Sequence, residues 1–163
     1  MSPDDDVTGG LTHGDLTGDL NAALAAASNN PKKPYQLDKG QCTITMPLPA
    51  GLADGLDELT VTVRLIGEIV SFVSPLAHVT EPEIPADAAT ALLRRQFFAQ
   101  QTDGAGFALA DREDVLVAQY HWIPTGLTVD AFAAIFGRFV AATLRLRDEV
   151  AIMSAQGAPF TIL

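Results

Sequence analysis

The stretch VLVAQYHWIPTGLTVDAFAAIFGRFV, residues 115–140, decides the fold class. Its first part reads as a strand that ends in Tyr120, His121 and Trp122. Leu116, Tyr120 and Trp122 share one face of that strand, and Val117, Gln119 and His121 the other, because side chains alternate across a strand. Ile123 and Pro124 break the pattern. Thr128 then fits a helix N-cap, with Asp130 in the first turn. From there Phe132, Ile135, Phe136, Phe139, Val140, Thr143, Leu144 and Val150 recur at helical spacing, the strongest periodic signal in the chain. A strand therefore hands the chain directly to a long amphipathic helix.

Upstream, FALADREDVLVAQYHW predicts a hairpin turning around Arg112-Glu113-Asp114. Before it, EPEIPADAATALLRRQFF predicts a helix. Pro85 suits its first turn, Glu81, Glu83 and Asp87 suit the positive end of its dipole, and Leu92, Leu93 and Phe97 form its apolar side. Residues 41–76 carry a period of two. Cys42, Ile44 and Met46 alternate with Thr43 and Thr45, then Leu59, Val61, Val63 and Leu65 with Thr60, Thr62 and Arg64. Gly67-Glu68 allows a tight turn, and Pro75 limits the third strand. At the front, Leu16, Leu20 and Leu24 mark a helix closed by Ser28-Asn29-Asn30-Pro31. PKKPYQLDKG is a linker. The order α-β-β-β-α-β-β-α, with short connections between neighbouring strands, predicts an α+β fold: about five antiparallel strands with helices packed on them. Residues 1–14 read as a flexible acidic tail and 15–163 as one domain.

The chain has 163 residues, 48% hydrophobic, and a net charge of −10. That charge disfavours nucleic acid and anionic membrane partners, since phosphates are repelled. Arg94, Arg95, Arg138, Arg145 and Arg147 could still form a local basic patch. Cys42 is the only cysteine, which rules out an internal disulfide and a cysteine zinc site. The acidic N-terminus lacks the pattern of a signal peptide, and no apolar run reaches the roughly 18 residues of a membrane span. A cytoplasmic location is expected.

No constellation for catalysis stands out. His13, His78 and His121 have no metal-ligand spacing, and the carboxylates sit in turns and helix starts. Thr102-Asp103-Gly104-Ala105-Gly106 lacks the strand, helix and lysine of a phosphate loop. The expectation is a protein with no cofactor, no metal and no catalysis; the alternative is an enzyme or small-molecule binder with a pocket near His121. Arg147 falls within the apolar stripe of the last helix, where an arginine pairs with a carboxylate or snorkels outward. Phe97 and Phe98 point about 100° apart on a helix, so one face cannot bury both. Phe98 either folds under the next loop or meets a second subunit.

Residues 92–150, LLRRQFF through RLRDEV, resemble the specialised chaperones of bacterial type III secretion (the Tir-chaperone family) and the YbjN-like proteins. The shared pattern is a double-leucine helix, a glycine-rich turn, a strand with Phe and Leu, an acidic turn, a strand ending in hydrophobic-Pro, a Gly-Leu-Thr step and an amphipathic helix. The resemblance covers roughly residues 35–150. It implies no catalysis and a homodimer built largely around the second helix and adjoining strands; the crowded apolar surface of Leu92, Leu93, Phe97 and Phe98 makes those residues the expected interface. It also implies a client or partner protein that wraps the dimer as an extended segment. The polar tail, the lysines at 32, 33 and 39 and the apolar end GAPFTIL depart from the compact secretion chaperones and favour the YbjN-like branch, with a regulatory or stress-related role.

Overall fold

A computed structural model describes residues 15–49, 56–81, 83–97, 104–110 and 114–163. The elements are α1 (Leu16–Ala27), β1 (Gln41–Pro47), β2 (Glu58–Ile66), β3 (Ile69–Val79), α2 (Ala86–Phe97), β4 (Gly106–Ala110), β5 (Val115–Trp122), α3 (Val129–Ala155) and β6 (Phe160–Ile162). The predicted α+β order holds, with one strand added at the end. The tail, and the hairpin turn at 111–113, lie outside the described residues.

The strands form one antiparallel sheet in the order β1-β2-β3-β5-β4, and β6 pairs with β3. The β2–β3 hairpin is a two-residue turn between Ile66 and Ile69. Gly67 takes a φ of 60° there, a left-handed conformation that costs glycine nothing.

The period of two sorts the sheet into faces. Cys42, Ile44, Val61, Val63, Val70 and Phe72 lie on one face and are buried. Thr43, Thr45 and Arg64 lie on the other and are exposed. Helices α1 and α3 supply the layer above the buried face. Leu20 and Leu24 of α1, and Phe132, Phe139, Leu146 and Val150 of α3, enter the same core. The Phe72 ring lies 5.6–6.3 Å from those of Phe132, Phe136, Phe139 and Tyr120. Thr128 caps α3 as its sequence suggests, its hydroxyl accepting from the Ala131 N–H at 3.1 Å. Thr128→Ala should cost about 1 kcal/mol, the usual worth of such a cap; a thermal melt unchanged from wild type would contradict it.

Pro75 does not end β3, which continues to Val79 through a bulge between Pro75 and Ala77. The register places Pro75 opposite Thr60, where a ladder N–H is needed and proline has none. The Ser74 hydroxyl replaces it, donating to the Thr60 carbonyl at 2.8 Å. The ladder between β2 and β3 stops at Thr62–Val73. Beyond the bulge β3 is free on that side, and β6 fills the place.

Two further sequence readings change. PKKPYQLDKG is anchored rather than free. Leu37 N–H donates to Asn21 Oδ1, Tyr35 Oη donates to the Thr45 carbonyl, and Asp38 and Gln41 bridge each other. Arg147 does not snorkel outward. It is 7% exposed, and its Nε and Nη2 donate to the main-chain oxygen of Leu163 at 3.2 and 2.7 Å.

Candidate protein-interaction surface

Among the described residues, the outer edges of β1 and β4 pair with no further strand. The register points the backbone groups of Thr43 and Thr45 outward from β1, and those of Phe107 and Leu109 outward from β4. Unpaired edge groups of this kind accept an added strand. The β1 edge is partly blocked, since Tyr35 already occupies the Thr45 carbonyl and Pro47 ends the strand without an N–H.

The β4 edge lies beside α2. Helix α2 turns Ala88 and Leu92 inward to the core and leaves Leu93 66% exposed. Leu109 on β4 is 51% exposed. Adjacent leucines on a helix diverge by about 100°, so burying Leu92 forces Leu93 outward. An ion pair from Arg95 to Glu149 ties α2 to α3. Gln96 lies over Gly106, its Nε2 3.3 Å from where a β-carbon would stand, so β4 approaches the end of α2 closely. Of the suspected interface residues, Leu92 is therefore core-facing and Leu93 surface-facing. Phe97 closes α2, and Phe98 lies outside the described residues.

His121 sits on the face opposite the core and is exposed, while Tyr120 and Trp122 are half-buried against the core. The strand faces fall as the alternation predicts. The register puts Ser71 across from His121. Among the described residues, no group of three or more His, Cys, Asp or Glu side chains could hold a metal ion. No helix among them is long and apolar enough to cross a membrane.

A cavity of about 580 Å³ runs between the end of α1, the anchored 33–38 segment and β1, with Lys33, Tyr35, Asp38 and Cys42 in its lining. Cys42 is buried, as the alternation implied. Burial pushes its thiol pKa up, only partly offset by a backbone hydrogen bond from Gln36. The neutral thiol is favoured in the fold. Stability from this group is whole below the ordinary thiol pKa and falls as pH rises through the raised native value. Iodoacetamide at pH 7 should label native Cys42 at least tenfold more slowly than the urea-unfolded chain, because the thiolate is the nucleophile. Equal rates would contradict the burial.

No family model matches the chain, and no curated protein matches it significantly. Solved structures do. The chain matches one in the complex of ExsC and ExsE with a TM-score of 0.60 and 14% identity, over 82% of this chain and 95% of that one. It matches one in the HopA1–SchA chaperone–effector complex at 0.56 and 16%, over 80% and 94%. It matches one in the heterodimeric ExoU–SpcU complex from the type III secretion system of Pseudomonas aeruginosa at 0.52 and 14%, over 80% and 93%. The fold is that of a type III secretion chaperone, as the resemblance implied. At such identities the likeness concerns the fold.

Proposed function

We propose that the protein is a non-catalytic, homodimeric protein-binding module that holds an extended segment of a client protein, as the resemblance to the secretion chaperones implies. The observation that carries the reading is the α2–β4 end of the molecule: a strand edge that is unpaired among the described residues, flanked by exposed Leu93 and Leu109. An edge supplies main-chain hydrogen bonds, and apolar side chains beside it supply burial, the two needs of strand addition or of a self-complementary interface. The solved complex of HopA1 and SchA is one of chaperone and effector, which supports the same class. Within that class the YbjN-like regulatory adaptor is the finer reading. Its support is the sequence's departure from the compact secretion chaperones, namely the polar tail, the lysines at 32, 33 and 39 and the apolar end GAPFTIL.

The net charge of −10 favours a neutral or basic client segment and speeds its encounter at low salt. Screening shortens that reach to about 8 Å at physiological ionic strength, so the association rate should fall as salt rises. The direct experiment is affinity capture from the native host, followed by reconstitution with the purified candidate. A complex of two chains per client, without turnover and without bound metal, is expected. Stoichiometric zinc or magnesium with substrate turnover would defeat the reading, and so would DNA binding that survives about 150 mM salt.

A further inference from the structure

The chain's last described residues occupy a place built to hold an extended strand. Past the Pro75 bulge, β3 has lost β2 as a neighbour, and Ala77, His78 and Val79 pair with Ile162, Thr161 and Phe160. Main-chain bonds close both ends of this short ladder. Thr80 N–H donates to the Pro159 carbonyl at 2.9 Å, and Leu163 N–H to the Leu76 carbonyl at 3.0 Å. Helix α3 contributes two side chains that also read main chain only. The Ser154 hydroxyl donates to the Phe160 carbonyl at 2.6 Å, and buried Arg147 donates to the main-chain oxygen of Leu163. Phe160 is buried and Ile162 half-buried, while Thr161 between them is exposed.

We propose that the slot between β3 and α3 is a strand-binding site for an extended segment of the pattern apolar-any-apolar arriving in trans, and that residues 158–163 fill it in cis. A segment held through its carbonyls and N–H groups, with two alternate side chains in apolar contact, is recognised by the logic of strand addition. Those contacts do not depend on covalent attachment to α3. The occupant is joined by one turn at Gly157, whose φ of 93° and open surroundings make it the natural pivot. A cavity of about 320 Å³ lies beside that turn, between the start of α2 and the end of α3, and offers an approach. The tethered segment enjoys a high effective concentration, so it keeps weak competitors out and yields only to a segment that fits better. The slot is distinct from the β1 and β4 edges, and its failure would leave the dimer and edge readings standing.

The test uses the full chain and a fluorescein-labelled heptapeptide GAPFTIL, followed by fluorescence anisotropy. The variant Phe160→Ser with Ile162→Ser loosens the cis strand while leaving every residue of the slot in place. It should bind the peptide at least tenfold more tightly than wild type. A peptide with lysine in place of its threonine should bind within about threefold, because that position faces solvent, whereas one with serine at both apolar positions should not bind. Hydrogen exchange should show the Thr80 amide protected in wild type, exposed in the variant and protected again by peptide. A folded variant that ignores the peptide overturns the proposal, as does equal binding by wild type and variant. Should the double variant unfold, Ile162→Ser alone decides. It weakens the half-buried end of the cis strand and leaves Ser154, Arg147 and β3 in place, and peptide binding at least threefold tighter than wild type is expected; no change overturns the slot.

Discussion

Phe72→Ala should destabilise the protein by about 3–5 kcal/mol, the range for truncating a fully buried aromatic. Phe72 has no exposed surface. It sits mid-strand in β3, opposite Val63 on β2 and Tyr120 on β5, and its ring meets three rings of α3. The substitution leaves a cavity where sheet and helix join, and three aromatic neighbours on one helix cannot all collapse into it. Trp122→Ala should cost less, about 2 kcal/mol, because Trp122 is half-buried at the end of its strand and water already covers part of it. His121→Ala, on the exposed face, should stay within about 0.5 kcal/mol of wild type. Denaturant melts of the three variants give the order. A larger loss for His121 than for Trp122 would mean that the faces of β5 are reversed.

That assignment was legible in the sequence because periodicity carries it. Tyr120, His121 and Trp122 must alternate on a strand, and the phenylalanines of α3 must line one side of a helix. Thr128 was legible for a local reason, since an N-cap needs only its own helix. The continuation of β3 was not. Pro75 signals an ending, and what rescues the strand is a hydroxyl on Ser74 reaching Thr60, fourteen residues away. β6 was hidden because a three-residue strand carries too little alternation to register, and its partner is more than eighty residues upstream. The hidden strand also concealed the role of Arg147. Its place in an apolar stripe flagged it as unusual, but its partner is the main-chain oxygen of Leu163, the residue that follows β6.

Of the candidate surface, the sequence shows the crowding: Leu92, Leu93, Phe97 and Phe98 carry more apolar surface than one helix face can bury. Which leucine points inward was not legible, because either could have faced the core with a small rotation of α2. The observed rotation buries Ala88 and Leu92, sets Gln96 against Gly106 of β4 and brings Arg95 to Glu149 of α3.

Leu93→Asp should raise the dissociation constant of the proposed homodimer at least 100-fold, about 2.7 kcal/mol, without unfolding the chain. Light scattering at micromolar concentration should show the wild type near twice the 17.2 kDa of one chain and the variant at one. The two halves of this expectation have separate causes. Leu93 is two-thirds exposed in the single chain, so an aspartate there keeps its water and the fold loses little. In an interface of the roughly 1,200–2,000 Å² that lasting dimers bury, the same carboxylate must shed its water, and its symmetric copy brings a second negative charge close by. Leu92→Asp is the control with the opposite balance. It puts the charge into the core and should unfold the protein rather than divide it. Arg95→Ala should change neither measurement much, since a partly exposed ion pair is worth about 0–1 kcal/mol. A wild type that scatters as a single chain would remove the dimer. A dimeric Leu93→Asp would move the interface away from α2, to another exposed apolar site such as Ile66 or Ile123.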